Sequence, residues 1–372
     1  MARKGENIYK RKDGRWEGRY IKDRGKNDKA IYGYVYAKSY KDVKTKLVEA
    51  RMNVDNLPSS KTPLLFSDLI DLWINNKSLS VKESTYIRYK NSLETHIKPK
   101  LGIYKINMID TELLQRFFYE KADSGRVDRK GGLSSKTLME MLMIIKGIFN
   151  YAKSNGEIIK CDLDQIIIKK SYHEMRILSI DEERRLNQIL FTEQNVYKLG
   201  ILICLYTGIR IGELCALKWK DISFDENTLK VEKTMQRLQC DDCNAKTKIV
   251  ISEPKSNSSI RQIPLPDFLV NELKKFRGCA DNYILSSDNI KIVEPRTMQN
   301  HFKKYISEAK IEKANFHCLR HTFATRCVEK DFEIKSLSVI LGHSSVKITL
   351  DRYVHVSMQM KRSNMSKVEL AI

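Results

Sequence analysis

The chain has 372 residues, enough for two or three domains that each bury a hydrophobic core. It carries 67 Lys and Arg against 46 Asp and Glu, a formal net charge of +21. Such a surplus along a whole chain is typical of proteins that neutralise many phosphates, so we expect a nucleic acid as partner. The longest fully apolar run, Ile201 to Tyr206, is far shorter than the ~20 residues of a spanning helix, which argues against a membrane protein.

The N-terminus and the cysteines indicate the compartment. The first ten residues are basic and lead into polar sequence without the apolar stretch of a secretory signal, so we expect a cytoplasmic, nucleoid-associated bacterial protein. The eight cysteines are then expected to be reduced. Cys240 and Cys243 have the spacing of half a zinc site, but no second pair lies nearby, and a polar loop is the alternative. Neither a metal nor another cofactor is expected.

The first segment, predicted to be a domain over residues 1–56, is small, basic and rich in aromatic residues. A KDGR turn separates two strand-like runs, and Tyr32, Tyr34 and Tyr36 recur at strand period. This pattern predicts a three-stranded sheet closed by a helix over about residues 40–52. The tyrosines either pack on that helix or belong to a sheet surface that contacts DNA. The candidates for DNA contact in this segment are Arg15, Trp16, Arg19 and Tyr34.

The second segment follows a linker, Asn53 to Pro63, that combines Pro, Ser and Asn without apolar periodicity. Over the predicted domain 64–165, apolar residues recur at i, i+3, i+4 and i+7 in three stretches, which predicts an all-α bundle with these residues in its core. Lys82 and Arg88 on the polar faces are candidates for DNA contact, and solvated surface charge is the alternative.

The third segment, predicted as a domain over residues 174–372 with a C-terminal tail, opens with a helix start. Ser179 and Glu182 have the spacing of a capping box. Strand-like sequence from Leu229 to Pro266 lies among helical patterns, so we expect a mixed α+β, mostly helical domain. The predicted fold class is therefore multidomain: a sheet with a helix, a helical bundle and this mixed domain.

The residues that could carry out chemistry all lie in the third segment. Arg210 follows a predicted helix end in YTGIRIGEL, and Lys255 lies in a turn of EPKSNSSIRQIPL. His317 and Arg320 share one face of a predicted helix in FHCLRHTFAT. Alone, each of these is an ordinary surface or boundary residue.

The last motif completes a set suited to phosphodiester transfer without a metal. In LGHSS, Gly342 can end a helix and present His343, and Tyr353 lies ten residues further on. The two arginines can bind non-bridging phosphate oxygens and offset the charge of a pentacoordinate transition state. The tyrosine is a nucleophile that must lose its proton, to which His317 and the arginines could contribute. Lys255 could protonate the leaving 5′ oxygen, and His343 could donate a hydrogen bond to the phosphate.

The ordered motifs TGIRIGEL, PKSNSSIRQIPL, HCLRHTFAT and LGHSS with the terminal tyrosine resemble the tyrosine recombinase (phage integrase) family, including integrases of phages and conjugative transposons. The resemblance implies an arm-binding sheet domain, a core-binding bundle and a catalytic domain. Glu213 matches a structural partner of the first arginine, and Lys233 to Val250 resembles the β-insertion of transposon-type integrases. The catalytic set that the resemblance implies is Arg210, Lys255, His317, Arg320, His343 and Tyr353.

The activity that the resemblance implies is site-specific DNA recombination through a 3′-phosphotyrosyl intermediate, without metal or ATP, which integrates and excises a mobile element. The implied partners are double-stranded DNA with core and arm sites, and further copies of the chain in a homotetramer. An excision or directionality factor is a further candidate partner. A type IB topoisomerase-like enzyme and a catalytically inactive DNA-binding protein are the alternatives.

Overall fold

The computed structural model describes residues 7–24, 30–55, 64–157, 159, 161–169, 175–240, 246–253, 259–286, 292–353 and 365–366. The chain divides into two compact units, Met1–Tyr172 and His173–Ile372. The further division of the first unit into two domains stays a prediction, since residues 56–63 of the predicted linker lie outside the described ranges. Residues 53–55, which were expected to belong to the linker, instead form the end of the preceding helix. Within those ranges, no helix is long and apolar enough to cross a membrane.

A small antiparallel sheet opens the described chain, with strands β1 (Ile8–Lys10), β2 (Trp16–Arg24) and β3 (Ala30–Ala37) in that order. The turn between β1 and β2 includes Gly14 at φ +85°, a left-handed conformation that glycine adopts without strain. Helix α1 (Tyr40–Asp55) packs on one face of the sheet. The predicted sheet with its closing helix is thus confirmed.

The tyrosines of β3 lie on the face of the sheet away from α1. Tyr32, Tyr34 and Tyr36 are 41%, 48% and 41% exposed, whereas Gly33 is buried and Val35 packs on the α1 core. Because successive side chains of a strand point to opposite faces, all three tyrosines share the open face. The alternative that they pack on the helix is therefore wrong.

The bundle of the first unit is all-helical, as predicted. Its helices are α2 (Phe66–Ser78), α3 (Glu83–Ser92), α4 (Lys98–Leu101), α5 (Thr111–Ser124) and α6 (Ser135–Ser154). A π-helical turn joins α3 to α4, and Asp110 and Ser134 cap α5 and α6 with their side-chain oxygens. Phe66 and Phe149 meet edge to face in the core, with ring centres 5.7 Å apart.

The second unit is built around α8 (Val196–Thr207), which is buried almost all round, as expected of a helix that is apolar on every side. The preceding helix, α7 (Ile180–Phe191), starts with the capping box of Ser179 and Glu182, as predicted. The other helices are α9 (Ile211–Ala216), α10 (Asp267–Lys275), α11 (Pro295–Glu308), α12 (His317–Glu329), α13 (Ile334–Leu341) and α14 (Val346–Tyr353).

The strands of the second unit form two antiparallel sheets. The first sheet pairs β4 (Ile222–Ser223), β5 (Thr228–Val231) and β8 (Arg261–Pro264). Between β5 and β8, β6 (Thr234–Gln239) and β7 (Thr247–Ser252) pair only with each other among the described strands. This hairpin occupies the segment that was expected to be an insertion.

The cysteines depart in one place from the expectation of reduced thiols. Cys240, which follows β6, is disulfide-bonded, and Cys243 lies outside the described residues. The six other cysteines are free thiols. In the described part of the chain, no group of three or more His, Cys, Asp or Glu side chains could hold a metal ion.

Candidate active site

Two helices of the second unit end at glycines in the left-handed conformation. Helix α8 ends at Gly208, with φ +65°, and α13 ends at Gly342, with φ +64°. A Cβ atom on Gly342 would lie 2.9 Å from the guanidinium of Arg261, so this position also lacks room for a side chain. The two reversals carry Arg210 and His343 on neighbouring loops.

Arg320 projects from α12 between these loops and is only 3% exposed. Its Nη1 donates to the carbonyl oxygen of Gly208 and its Nη2 to that of Leu341, both at 2.7 Å. Burial, followed by the nearby charge of Arg210, lowers the pKa of Arg320, and the group remains protonated at pH 7. The guanidinium is therefore held in place before any ligand arrives.

Glu213, expected as a structural partner of Arg210, joins two arginines. Its Oε1 accepts from Arg210 Nη1 at 2.7 Å, and its Oε2 accepts from Arg261 Nη2 at 2.8 Å. Arg261 Nε also donates to the carbonyl oxygen of Ile340 at 2.6 Å. Burial acts to raise the pKa of Glu213, but its hydrogen bonds and the charges of Arg261 and Arg210 hold it below its ordinary value. The carboxylate thus fixes the orientation of Arg210.

Two histidines flank the arginines. His317 is the first residue of α12, and His343 Nδ1 lies 2.8 Å from Thr349 Oγ1. Removal from water, followed by the charges of Arg320 and Arg210, lowers the pKa of His317 to about 4 and that of His343 to about 3. Both rings are neutral at pH 7 and can donate a hydrogen bond from one nitrogen.

These residues line a cleft of about 240 Å³. The charged groups of its lining are three arginines, and the lining residues in the described ranges include no carboxylate. The cleft thus holds several cationic and neutral hydrogen-bond donors close together, an arrangement that suits a phosphodiester. The cleft is lined by Arg210, Ser259, His317, Arg320, Gly342, His343, Ser344, Ile348 and Arg352.

Tyr353 ends α14 behind this lining and is 4% exposed. Its ring packs in a small apolar cluster with Leu337 and Leu341, and its Oη lies 3.0 Å from Nδ1 of His321. Burial raises the pKa of Tyr353, while the charges of Arg320 and Arg352 act in the opposite direction. The Tyr353 hydroxyl is thus within hydrogen-bonding distance of a ring nitrogen of His321.

The structure brings together most of the predicted set, although its members are far apart in the sequence. Arg210, His317, Arg320 and His343 line one cleft, with Tyr353 directly behind it, while Lys255 lies outside the described residues.

Three further side chains of the site were not expected from the sequence: Arg261, which pairs with Glu213, and His321 and Arg352. His321 comes four residues after His317, so helical periodicity alone places both on one face of α12. Arg352 directly precedes the tyrosine in the chain and lines the cleft. The helical spacing was the signal that could have identified His321.

The open face of the N-terminal sheet carries most of the DNA-contact candidates of that segment. The guanidinium of Arg19 lies 3.4 Å from the centre of the Tyr32 ring, and that of Arg15 lies 5.9 Å from the centre of the Tyr36 ring. Tyr34, which pairs with Arg19 across the strands, is exposed beside them. The face therefore combines positive charge with flat aromatic surface, which suits a nucleic acid.

The other candidates for DNA contact, Trp16, Lys82 and Arg88, lie outside this open face. Trp16 lies on the opposite face of the sheet, where its ring meets Tyr40 of α1 edge to face at 5.1 Å. It is therefore separated from the surface that carries Arg19 and Tyr34. In the bundle, Lys82 directly precedes α3, and Arg88 pairs with Glu140 at 2.6 Å.

The sequence matches the phage integrase family over residues 176–360 and the SAM-like N-terminal domain of phage integrases over residues 65–121, together more than half of the chain. It is 28% identical over 366 residues to a XerC-like tyrosine recombinase of Caldanaerobacter subterraneus subsp. tengcongensis, across 91% of each chain. It is 24% identical over 320 residues to the transposase of transposon Tn916 of Enterococcus faecalis, across 79% of this chain and 76% of the relative.

The fold is similar to that of solved integrases. The Tn1549 transposon integrase, solved with a circular intermediate DNA, superposes with a TM-score of 0.67 and 22% identity over 82% of this chain and 100% of that one. The lambda integrase, solved as a dimer on a core site, gives 0.59 and 17% over 100% and 99%. The recombinase and transposase relatives do not favour the topoisomerase alternative. The chain belongs to the phage integrase family and is a tyrosine site-specific recombinase.

Proposed function

We propose that this recombinase cleaves and rejoins double-stranded DNA through a 3′-phosphotyrosyl bond at Tyr353, and that it integrates and excises a mobile element. The proposal rests on one observation: Arg210, Arg320, His317 and His343 line the same cleft, and the buried tyrosine lies directly behind it. Each of these four side chains can donate a hydrogen bond to a phosphate oxygen, and the tyrosine is the nucleophile directly behind them.

The cleft would act on the scissile phosphate in the following way. Arg210 and Arg320 bind the non-bridging oxygens, and their fixed guanidinium groups stabilise the charge that develops in the transition state. His317 and His343 donate hydrogen bonds to the same oxygens. Tyr353 attacks phosphorus and displaces the 5′ oxygen, which we propose takes its proton from Lys255.

Rejoining is the reverse of this step. The covalent phosphotyrosine keeps the energy of the broken phosphodiester, so the 5′ hydroxyl of a partner duplex can displace the tyrosine without ATP. Strand exchange between two duplexes then requires four active sites, and we propose a homotetramer on DNA. This assembly is supported by the lambda integrase, which has been solved as a tetramer bound to a Holliday junction.

We further propose that the two parts of the first unit contact different DNA sites. The bundle, which matches the SAM-like domain of phage integrases, would bind core DNA with Lys82 and Arg88 among its contacts. The open face of the N-terminal sheet, with Arg15, Arg19 and Tyr34, would bind arm sites. An excision or directionality factor is proposed as a further partner.

The covalent step can be tested on a duplex nicked close to the cleavage site. There the short released fragment, which carries the free 5′ hydroxyl, diffuses away, so the covalent intermediate is trapped. In buffer with EDTA, the wild-type chain should become attached to the 3′ end of the DNA, and Tyr353→Phe should not. Binding to core DNA should be unchanged in that variant, because one hydroxyl adds little to an interface of many phosphate contacts.

Tyr305→Phe is the matched control, since Tyr305 is also buried in the second unit but hydrogen-bonds Asn195 away from the cleft. It should form the covalent product at the wild-type rate. Attachment by Tyr353→Phe, or a strict need for a divalent metal, would contradict the proposal.

A further inference from the structure

His321 contacts the atom that reacts. It lies on α12, one turn after His317, and its Nδ1 is 3.0 Å from Oη of Tyr353. The ring of His317 meets its ring edge to face at 4.4 Å on the cleft side. His321 therefore lies between a cleft-lining histidine and the buried nucleophile.

We propose that His321 is a catalytic residue that accepts the phenolic proton of Tyr353 during strand cleavage and returns it during strand joining. This assignment rests on the proposed function, in which the tyrosine attacks the scissile phosphate. It names a base that differs from His317, the histidine that the motif pattern first indicated.

The other groups near the tyrosine are less suited to the role. Arg320 and Arg352 influence the hydroxyl, but an arginine is always protonated and accepts no proton. The ring of His343 lies parallel to the tyrosine ring with centres 6.2 Å apart, and its Nδ1 is already bonded to Thr349. Among the described histidines, His321 is the one with a ring nitrogen in hydrogen-bonding distance of the hydroxyl.

The protonation state of His321 permits this role. Burial, and then the neighbouring His317, Arg352 and Arg320, lower the pKa of His321 to about 4, so the ring is neutral at pH 7. A neutral ring that carries its proton on Nε2 presents the Nδ1 lone pair to the hydroxyl. When a phosphodiester occupies the cleft, its negative charge offsets the arginines and makes the imidazole more basic. The same arginines act to lower the pKa of the phenol.

The bonds balance in both directions. In cleavage, the Oη–H bond of Tyr353 breaks and the proton moves to Nδ1 of His321, while the Oη–P bond forms and the P–O5′ bond breaks. The leaving 5′ oxygen takes a separate proton from the acid assigned to Lys255. In joining, the attacking 5′ hydroxyl gives up its proton to that lysine, and the imidazolium of His321 reprotonates the departing phenolate.

The test isolates the attack step by using a nicked duplex with a 5′-bridging sulfur at the cleavage site, because a thiolate leaves without a proton. Full-length wild type and His321→Ala are compared for single-turnover covalent attachment and for affinity to core DNA. We expect attachment to slow by about 10²–10⁴-fold, the range of general acid–base catalysis, with unchanged affinity. His301→Ala is the matched control, since His301 stacks on Tyr197 in the same unit and should attach at the wild-type rate.

Three further variants separate proton transfer from positioning. His321→Asn can place an amide near the position of Nδ1 and hold the hydroxyl, but an amide accepts no proton, so it should be as slow as His321→Ala. Replacing Tyr353 by 3,5-difluorotyrosine, a more acidic phenol, in the His321→Ala chain should recover at least tenfold of the lost rate. An Arg210→Ala chain with the same fluorotyrosine should recover nothing.

The outcomes test the proposed function and the assignment of His321 as the base separately. If wild type forms no covalent product, the proposed function fails. If wild type reacts and either His321→Ala or His321→Asn stays within about threefold of it, only the assignment of His321 as the base fails. The absence of recovery with the fluorinated tyrosine would also overturn it.

Discussion

Two buried arginines of the active site, Arg261 and Arg320, and the surface arginines of the N-terminal sheet carry the same charge in opposite surroundings. The side chain of Arg261 is 2% exposed, and Arg320 is buried with two donors on backbone carbonyl oxygens. In the sheet segment, the side chains of Arg11 and Arg15 are 44% and 58% exposed and pair with neighbouring carboxylates at the surface. One group is fixed by the fold, and the other is held by contacts that solvent weakens.

This difference predicts that the buried arginines act on the rate of DNA cleavage and the surface arginines act on the affinity for DNA. A guanidinium that is already oriented stabilises a developing charge without reorganisation, so Arg320 should have a large effect on rate. A surface arginine gains little from its ion pair and can move to meet a phosphate, so each should have a small effect on affinity. The following predictions test that contrast.

The largest effect is expected from Arg320→Ala, which removes the most buried donor that lines the cleft. Covalent attachment should slow by about 10³–10⁵-fold, the range for arginines that stabilise phosphoryl-transfer transition states. The measurement is single-turnover attachment to the duplex with the 5′-bridging sulfur.

The comparison on the same substrate is Lys255→Ala. A sulfur leaving group needs no acid, so Lys255→Ala should recover its rate, whereas Arg320→Ala and Arg210→Ala should not. Equal recovery of all three variants would remove the role assigned to Lys255.

A second large effect concerns stability. In Arg261→Met, the buried carboxylate of Glu213 loses one of its two arginine partners. Breaking a buried ion pair in this way typically costs about 3–5 kcal/mol. Urea unfolding monitored in the second unit should show this loss, while Arg15→Met, at an exposed pair, should change stability by less than about 0.5 kcal/mol. Similar losses of unfolding free energy in both variants would contradict the contrast between buried and surface arginines.

A moderate effect is expected from pH. The pKa of His343 is lowered to about 3 in the folded chain, below its ordinary value near 6.5, so the unfolded chain binds more protons between these values. This part of the stability is complete above about pH 6.5 and is lost as the pH falls. Between pH 7.5 and pH 5, wild type should lose about 1–2 kcal/mol more than His343→Asn. Parallel pH curves for the two chains would contradict the burial of a neutral ring.

The smallest effect is expected on the sheet. Arg19→Ala should weaken binding to arm DNA by less than about tenfold and reduce the salt dependence by about one phosphate contact. Cleavage of core DNA should be unchanged. Trp16→Phe, on the opposite face, keeps the contact with Tyr40 and serves as the control, with no change in either property. A loss of cleavage in Arg19→Ala would show that the two groups of arginines are not separate in function.

Much of the fold could be predicted because it depends on local patterns. The stripe of Phe66, Leu69, Ile70 and Trp73 became a buried helix face, since apolar residues at helical spacing gain most by facing a core. The capping box at Ser179 depends on residues three apart, so it was readable directly. Gly342 ended a helix as expected, because glycine adopts the left-handed conformation without strain.

The N-terminal sheet shows a feature that local sequence patterns cannot predict. Strand period alone shows that Tyr32, Tyr34 and Tyr36 share a face, but it cannot tell which face meets the helix. That choice depends on the packing of Val35 against α1, which is a contact between separate elements. The tyrosines were therefore placed on a shared face correctly and assigned to the wrong environment in one alternative.

The sequence by itself predicted the main types of elements, the helix start at Ser179 and the helix end at Gly342, because these depend on near neighbours. It also indicated Arg210, His317, Arg320 and His343 as candidate site residues through motif identity. Only the tertiary structure decided that Tyr353 contacts His321, 32 positions earlier in the chain. It also decided that Glu213 is shared by two arginines 51 positions apart, Arg210 and Arg261. Such pairs form because burial leaves a charge or a hydroxyl no water to bond, so it must find a partner wherever the packed core brings one.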